Sequence, residues 1–489
     1  MTNNTIIVWF RKDLRLHDNR AFTHAAKDGK IIPVYILSEE EEKSIGSASK
    51  WWLHYSLAHI TERLAKYNIP LIVKKGSYKK VLEKLIDETS ASGVYFNKCY
   101  DSANRAGEKR VVKQFEEANV VIKQFESDLL FTPGSVTNQK GEPYKIFTPF
   151  WKQVRKQYVA FPTHLPKLIE SGVPRDYDIG KIYDLGLLPK HPWTKKFYTY
   201  WTPGEQHAIN RWNTFLDEDI MSYDKERDFP AKDRVSRLSP YLAWGEISPR
   251  LIWHDIQRKL IQLDSRQQEE VHGQLEAFLR QLVWRDFAYH QLVTFPHVED
   301  EPLKTEFKYF AWKNDQDHLD QWKQAKTGYP IVDAGMRELW ETGWMHNRVR
   351  MITASFLIKH LLIHWKEGAS WFRDTLVDHD RANNIMGWQW VAGSGYDASP
   401  YFRIFNPITQ GDKFDPNGHY VRRWVPEIAA LPTKYLFSPW TAPKEVLEEA
   451  GVELGQTYPE PIVDHKASRE RALAVYQDMK HFVNELKNS

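Results

Sequence analysis

The sequence predicts an α/β N-terminal domain, a doubly wound parallel sheet, followed by a larger all-α domain. Three observations carry that fold class. Short β-rich runs alternate with stretches of helical composition in the first part of the chain. From about residue 205 onward the apolar periodicity is helical, with no convincing alternating strand. The length, 489 residues, exceeds what one ordinary core serves, so two or more domains are expected.

Taken in order, IIVWF (6–10), KIIPVYIL (30–37), PLIVKK (70–75), GVYFN (93–97) and VVIKQF (120–125) read as five strands, rich in β-branched and aromatic residues. Stretches such as SKWWLHYSLAHITERLAKY and YKKVLEKLIDETSAS read as the helices between them. No GxGxxG and no GxxxxGK[ST] follows a strand, so residues 1–130 form a sheet domain without the usual phosphate signature. Residues 131–204 are rich in Pro, Gly, Tyr and Lys and read as a connector with little regular structure. Residues 205–489 form the helical domain. Its sharpest features lie on helical segments at 269–295 and 345–367, and a charged helix, SRERALAVYQDMKHFVNELKNS, closes it.

Composition narrows the function classes. Hydrophobic residues make up 42% and charged residues 27%, the profile of a soluble globular protein. No apolar run reaches the length of a membrane span, and the start, MTNNTIIVWFRKDLRLHDN, meets charge too early for a signal peptide. A cytoplasmic monomer with no membrane partner is the expectation. The single cysteine, Cys99, excludes an intrachain disulfide and fits a reducing compartment. Its setting, FNKCYDSAN, reads as an inert strand end. No metal-ligand spacing occurs, so no metal is expected. The net charge of +3 neither demands nor forbids nucleic acid. Twenty tryptophans mostly fill core, yet so many raise the expectation of stacking against a planar cofactor or base.

Four stretches carry chemistry. In EAFLRQLVWRDFAYH, Phe278, Gln281 and Arg285 share one helix face and Trp284 sits beside them. A buried glutamine and arginine there need partners; the bland reading is a surface stripe. In GWMHNRVRM, Asn347 and Met351 are four apart, flanked by Arg348 and Arg350, which suits an anion, a heterocycle or an ordinary salt-bridged helix. In SRLSPYL, Ser239 before Pro240 reads as a capped helix start whose amides, with Arg237, suit a phosphate. The similar SPR at 248–250 shows how common that pattern is. In DHDRANNIMGWQW, Asp378 and Asp380 could pair with the arginines above. Asn384 could meet a flat ring edge, and Trp388 and Trp390 present indoles. A planar, polyfunctional, anionic cofactor held among helices meets all these demands.

Together with VWFRKDLRLHDN, TGYPIVDAGMRELWETGWMHNRVRM and GWQWVAGSGYDASPYFRIFNP, these residues resemble the DNA photolyase and cryptochrome family over nearly the whole chain. The likeness is greatest to bacterial photolyases that repair cyclobutane pyrimidine dimers. The resemblance implies an antenna domain and a helical domain that holds a U-shaped FAD. FAD contacts carried over are Tyr223, Val235, Ser236, Arg237, Leu238, Ser239, Phe278, Arg285, Arg350, Asp378, His379 and Asp380, with Asn384 facing the flavin N5. The implied electron relay is Trp388, then Trp365, then Trp312. Trp284 and Trp390 would wall the dimer pocket, with Gln281, Asn347 and Met351 around it, and Arg227, Arg348, Arg403 and Gln410 would hold UV-damaged DNA. The implied reaction is light-driven: excited FADH⁻ lends an electron to a flipped-out dimer and recovers it after the ring splits.

Several positions depart from the family pattern. Val235 and Phe278 stand where relatives often have threonine and tryptophan, and Gln281 replaces the usual glutamate. An amide can still bond a thymine edge but cannot offer a proton, so repair with lowered yield is expected. A blue-light photoreceptor, or a photolyase for another UV lesion, is the alternative. Plant-type receptors carry aspartate where this chain has Asn384, and the histidine pair of (6-4) enzymes is reduced here to His346. The Asn-Glu pair that contacts folate in relatives aligns with Ala103-Asn104, while the WWLH run at 51–54 suggests the folate-using branch. A methenyltetrahydrofolate antenna is the resulting expectation.

Overall fold

The computed structural model describes residues 4–118, 120–126, 128–189 and 191–488. The five predicted strands are present as β1 (Thr5–Phe10), β2 (Lys30–Leu37), β3 (Ile72–Lys75), β4 (Gly93–Asn97) and β5 (Val121–Phe125). They pair in parallel in the order β3-β2-β1-β4-β5, with Ile7 opposite both Ile32 and Val94. β1, β2 and β4 are almost wholly buried, as expected of near-continuous apolar runs covered on both faces. β5 is a mostly exposed edge, where Lys123 pairs with Asp28 and blunts the edge with charge.

Packing divides the chain differently from the expected segments. One compact unit comprises Met1–Tyr223, Val235–Pro296 and Val377–Asp380; the other comprises Asp224–Arg234, His297–Leu376 and Arg381–Ser489. In the first, Ile7, Trp9, Val34, Ile36, Val94 and Phe96 share a core with the flanking helices. In the second, Trp322, Tyr329, Phe356, Trp365 and Trp388 lie in a helical core.

Two expectations need correction. The 131–204 connector contains a regular helix, Phe147–Val154. Its buried residues Phe147, Phe150, Trp151 and Val154 form a helical stripe, and Pro149 falls in the first turn, where no amide partner is lost. The surrounding Pro, Gly and Lys residues hid that stripe. Residues 345–367 do not form one helix. Asn347–Ser355 runs into a π-helical turn, Phe356–His360, and a new helix starts at Trp365. Leu362 takes a left-handed φ of 56°, its carbonyl accepts from Lys313, and the His364 ring nitrogen caps the next helix through the Lys366 amide.

The TGYPIVDAG run is largely architectural. Asp333 accepts from the Thr327 amide and hydroxyl (2.8 and 2.7 Å), from the Gly328 amide (3.1 Å) and from the Tyr458 hydroxyl (2.7 Å). Gly328, at φ 76°, lies so close to the Glu460 carbonyl that a side chain has no room.

Candidate functional site

Within the first unit, the loop before helix Ser239–Ala243 holds the expected phosphate contacts. Arg237 is left-handed (φ 50°) and Leu238 right-handed (φ −83°, ψ −7°). Successive residues of opposite hand turn their amides toward one concave point, which attracts an anion. Arg211 pins this loop, its Nε donating to the Ser236 carbonyl at 2.9 Å. Ser239 does not act as the expected cap: it is the first helical residue, with Leu238 in the cap position. Ser248, in the pattern judged commonplace, is a real cap and accepts from the Arg250 amide at 3.1 Å.

Nearby in the same unit, Tyr223 and Phe278 meet edge-on at 5.2 Å. Arg285 donates to the carbonyls of Asp128 and, at 3.1 Å, Leu242. Asp378 and Asp380 are buried, His379 between them is half-buried, and Asp380 accepts the Tyr289 hydroxyl at 2.5 Å. Burial, then the Asp380 charge, raises the Tyr289 pKa well above its ordinary value, so this phenol stays a donor. An amide cradle, a guanidinium, buried carboxylates and an aromatic wall fit the pyrophosphate, the hydroxyls and the rings of FAD. Trp284 is stacked on one face by Phe147 (3.7 Å, 8°), a partner the sequence reading missed. Gln281 donates to Ala277 of its own helix at 3.2 Å.

The crevice at the sheet's reversal point, between the ends of β1 and β4, is the usual nucleotide position in such sheets. Here the chain fills it. Arg11 lies over Trp9 (4.1 Å) and Phe96 (4.8 Å) and donates to Glu108 and to the Asn97 carbonyl. Asp13 accepts from the Arg11 amide (2.7 Å) and the Asn97 amide group (2.6 Å). Burial pushes the Cys99 thiol well above its ordinary pKa, in keeping with an inert residue. Asn104 is buried, accepting from Tyr78 (3.1 Å) and donating to Asp101 (3.0 Å).

The second unit contains a cavity of about 530 Å³. Five expected substrate-side residues line it: Arg348, Met351, Trp390, Arg403 and Gln410. Sequence reasoning missed Asp224, Lys225, Asp228, Phe229, Phe405, Lys413 and Phe414. The strap DKERDFPAKDR carried a signal for the first four in its dense mixed charge, and Phe405 lay inside a quoted motif. Phe414 gave none. Asn347 is exposed on the Arg348 helix, its amide 3.9 Å from the Met351 sulfur, and does not line the cavity. Arg348 finds its carboxylate in Asp228, at 2.6 Å. Arg227 pairs with Asp224 at 3.3 Å, and Arg350 donates to the Met345 carbonyl at 2.7 Å. Asn384 donates to the Ala369 carbonyl at 3.0 Å, which leaves its amide oxygen as the more available end.

The expected relay residues also lie in this unit. Trp388 and Trp365 are buried and Trp312 is partly buried. Trp388 packs against Phe372 (5.0 Å) and Trp322 (6.3 Å), in space that only a glycine at 368 leaves open. His364 lies between Trp312 (5.0 Å) and Trp365 (5.5 Å). Burial, then Lys366, lowers its pKa to about 4, so this wedge is neutral near pH 7. Among the described residues no cluster could hold a metal ion, and no helix is long and apolar enough to cross a membrane.

Residues 6–168 match the DNA photolyase family model, and residues 278–478 match the FAD binding domain of DNA photolyase. A deoxyribodipyrimidine photo-lyase of Agrobacterium fabrum is 46% identical over 97% of this chain and 98% of its own. Cryptochrome-2 of Arabidopsis thaliana is 37% identical over 95% of this chain and 77% of its own. The crystal structure of a bacterial class III photolyase from Agrobacterium tumefaciens superposes with a TM-score of 0.94, at 45% identity, covering 98% of each chain.

Proposed function

The chain belongs to the DNA photolyase and cryptochrome family and carries its FAD-binding domain, and from that premise we propose that it is an enzyme, a deoxyribodipyrimidine photo-lyase. Its substrate is a cyclobutane pyrimidine dimer in UV-damaged DNA. The observation that carries this reading is the second-unit cavity, which combines an indole and three phenyl walls with four cations. An extruded dimer, two neighbouring bases of one strand fused face to face, needs apolar walls for its rings and cations for its flanking phosphates. Arg348, Arg403 and Gln410 hold the strand, and Trp390 and Met351 take the rings. Trp284, stacked on one face by Phe147, belongs to this reading through the family resemblance alone. FAD is held by the amides of Ser236, Arg237, Leu238 and Ser239 at its pyrophosphate and by Arg285, Arg350, Asp378 and Asp380 at its polar edges. Tyr223, Val235 and Phe278 pack beside it, and Asn384 presents its carbonyl to the flavin edge. When bound and reduced, FAD supplies photoexcited one-electron chemistry. Trp388, Trp365 and Trp312 keep it reduced, with His364 between the outer two. A methenyltetrahydrofolate antenna belongs to this reading, bound by groups other than Asn104, whose amide is already engaged.

Illumination of the reduced, purified protein with a dimer-containing oligothymidine tests the proposal. Thymine absorbance should recover above a dark control; its failure to do so removes the repair reading. One observation supports a second reading, a blue-light receptor with weak repair. Gln281 brings no charge to the lesion and bonds its own helix. Light-dependent flavin reduction without thymine recovery is the outcome that selects it.

A further inference from the structure

We propose that Asp228 is a built-in substitute for a DNA phosphate, which occupies Arg348 in the free protein and holds down affinity for undamaged DNA. The inference rests on the reading above, in which Arg348 meets the damaged strand.

The Arg348 guanidinium lies 4.3 Å over the Phe414 ring, which sets its plane at the cavity wall. One amino group reaches Asp228 at 2.6 Å; the other finds only the Met351 sulfur, at 3.9 Å. Nε is buried with no hydrogen-bond partner. A single oxygen therefore serves a group with five donors. Lys225, Arg403 and Lys413 line the same cavity, and among the described residues none of the three has a carboxylate within ion-pairing distance. Asp228 thus neutralises one chosen cation of the four. The pair is not dry, at 18% and 36% side-chain exposure, so it adds little to stability. Its place at the cavity wall matters instead for what competes with it.

A phosphate that binds Arg348 finds one of its amino groups already bonded to Asp228. It must displace the carboxylate or sit beside a like charge, and either weakens binding. Undamaged DNA, which brings only phosphates, has nothing to offset that loss. A flipped-out dimer adds stacking on Trp390 and Phe405, which Asp228 does not oppose. The carboxylate therefore holds undamaged DNA at low affinity, while stacking keeps the dimer bound.

The test compares wild type, Asp228→Asn, Asp228→Ala, Arg348→Ala and the Asp228→Asn/Arg348→Ala double variant. Each is titrated with undamaged and dimer-containing oligothymidine of one length across a salt series. Both Asp228 variants should bind the undamaged strand about 3- to 10-fold more tightly, with a log K–log salt slope steeper by roughly one ion. The damaged strand should gain through the same arginine by a similar factor. The double variant should match Arg348→Ala. Unchanged or weaker binding by both Asp228 variants would overturn the proposal and make Asp228 an orienting partner. A gain that persists without Arg348 would overturn it too, since the charge would then act at large. Wild type that shows no preference for the dimer sinks the underlying functional reading, and that result is visible before any variant is made.

Discussion

Arg11 in the first unit and Arg348 in the second share the same immediate chemistry. Each guanidinium lies just over 4 Å from an aromatic centroid, Trp9 and Phe414 respectively, and each bonds a carboxylate, Glu108 and Asp228. They differ in water. The Arg11 and Glu108 side chains are 0% and 8% exposed; those of Arg348 and Asp228 are 18% and 36%. Around Arg11, both amino groups are bonded, one to Glu108 and one to the Asn97 carbonyl, and only Nε has no partner. Around Arg348, donors remain unengaged and other cations stand open. A charged pair sealed from water holds a fold together. The same pair left part-exposed beside a cavity is available to a ligand.

The largest test of this contrast is Glu108→Ala, which leaves a buried guanidinium without its counter-charge. Unfolding free energy should fall by about 3–5 kcal/mol in a urea titration, while the folded fraction keeps its DNA affinity. Loss of DNA binding in the folded variant would break the contrast from the structural side.

Lys359 offers the intermediate case, a dry cation without a carboxylate. Its ammonium bonds the Arg403 carbonyl at 2.8 Å, and burial, then the Arg403 charge, lowers its pKa to about 7. The unfolded chain, with lysine near 10.4, binds the extra proton between those values. Stability should therefore rise with pH from about 7 toward 10, by at most about 1.4 kcal/mol per pH unit. Melts between pH 6.5 and 9 (roughly) should show this slope in wild type and lose it in Lys359→Met.

Arg348→Ala should do the reverse of Glu108→Ala. We expect a change in stability below about 0.5 kcal/mol and a loss of about 1 kcal/mol in DNA affinity across all sequences, read by titration at fixed salt. The smallest effect belongs to Gln281→Glu. It should strengthen dimer recognition by up to about 1 kcal/mol and raise repair per absorbed photon. An unchanged or lower yield would mean that the amide at 281 is not what limits repair.

The five strands were legible because each is a short β-branched run bounded by polar turns, and tertiary packing reinforced that local signal. The helix Phe147–Val154 was not, since its apolar stripe is only eight residues long and lies among Pro, Gly and Lys. The break at Leu362 was hidden because no glycine or proline marks it; a left-handed leucine held by Lys313 does the work of one. At the cavity, Arg348, Met351, Trp390, Arg403 and Gln410 were foreseen through the family resemblance. Asp228 and Phe414 were not, because their role depends on long-range contact with Arg348, 120 and 66 positions away by subtraction of residue numbers. Spacing along a sequence holds no trace of such a contact. Ser239 and Ser248 teach the same lesson: two serine-proline steps, of which only the less notable one caps a helix.

The division of the chain into units also bears on how it is made. The sheet is complete once residue 125 has left the ribosome, yet the unit containing it takes its last piece from Val377–Asp380. Asp224–Arg234, in turn, must wait for partners synthesised after His297. A nascent chain can settle its sheet early, but it finishes neither unit until more than three-quarters of the polypeptide has emerged. Cutting the gene at residue 130 or 205 would leave both products with an incomplete unit.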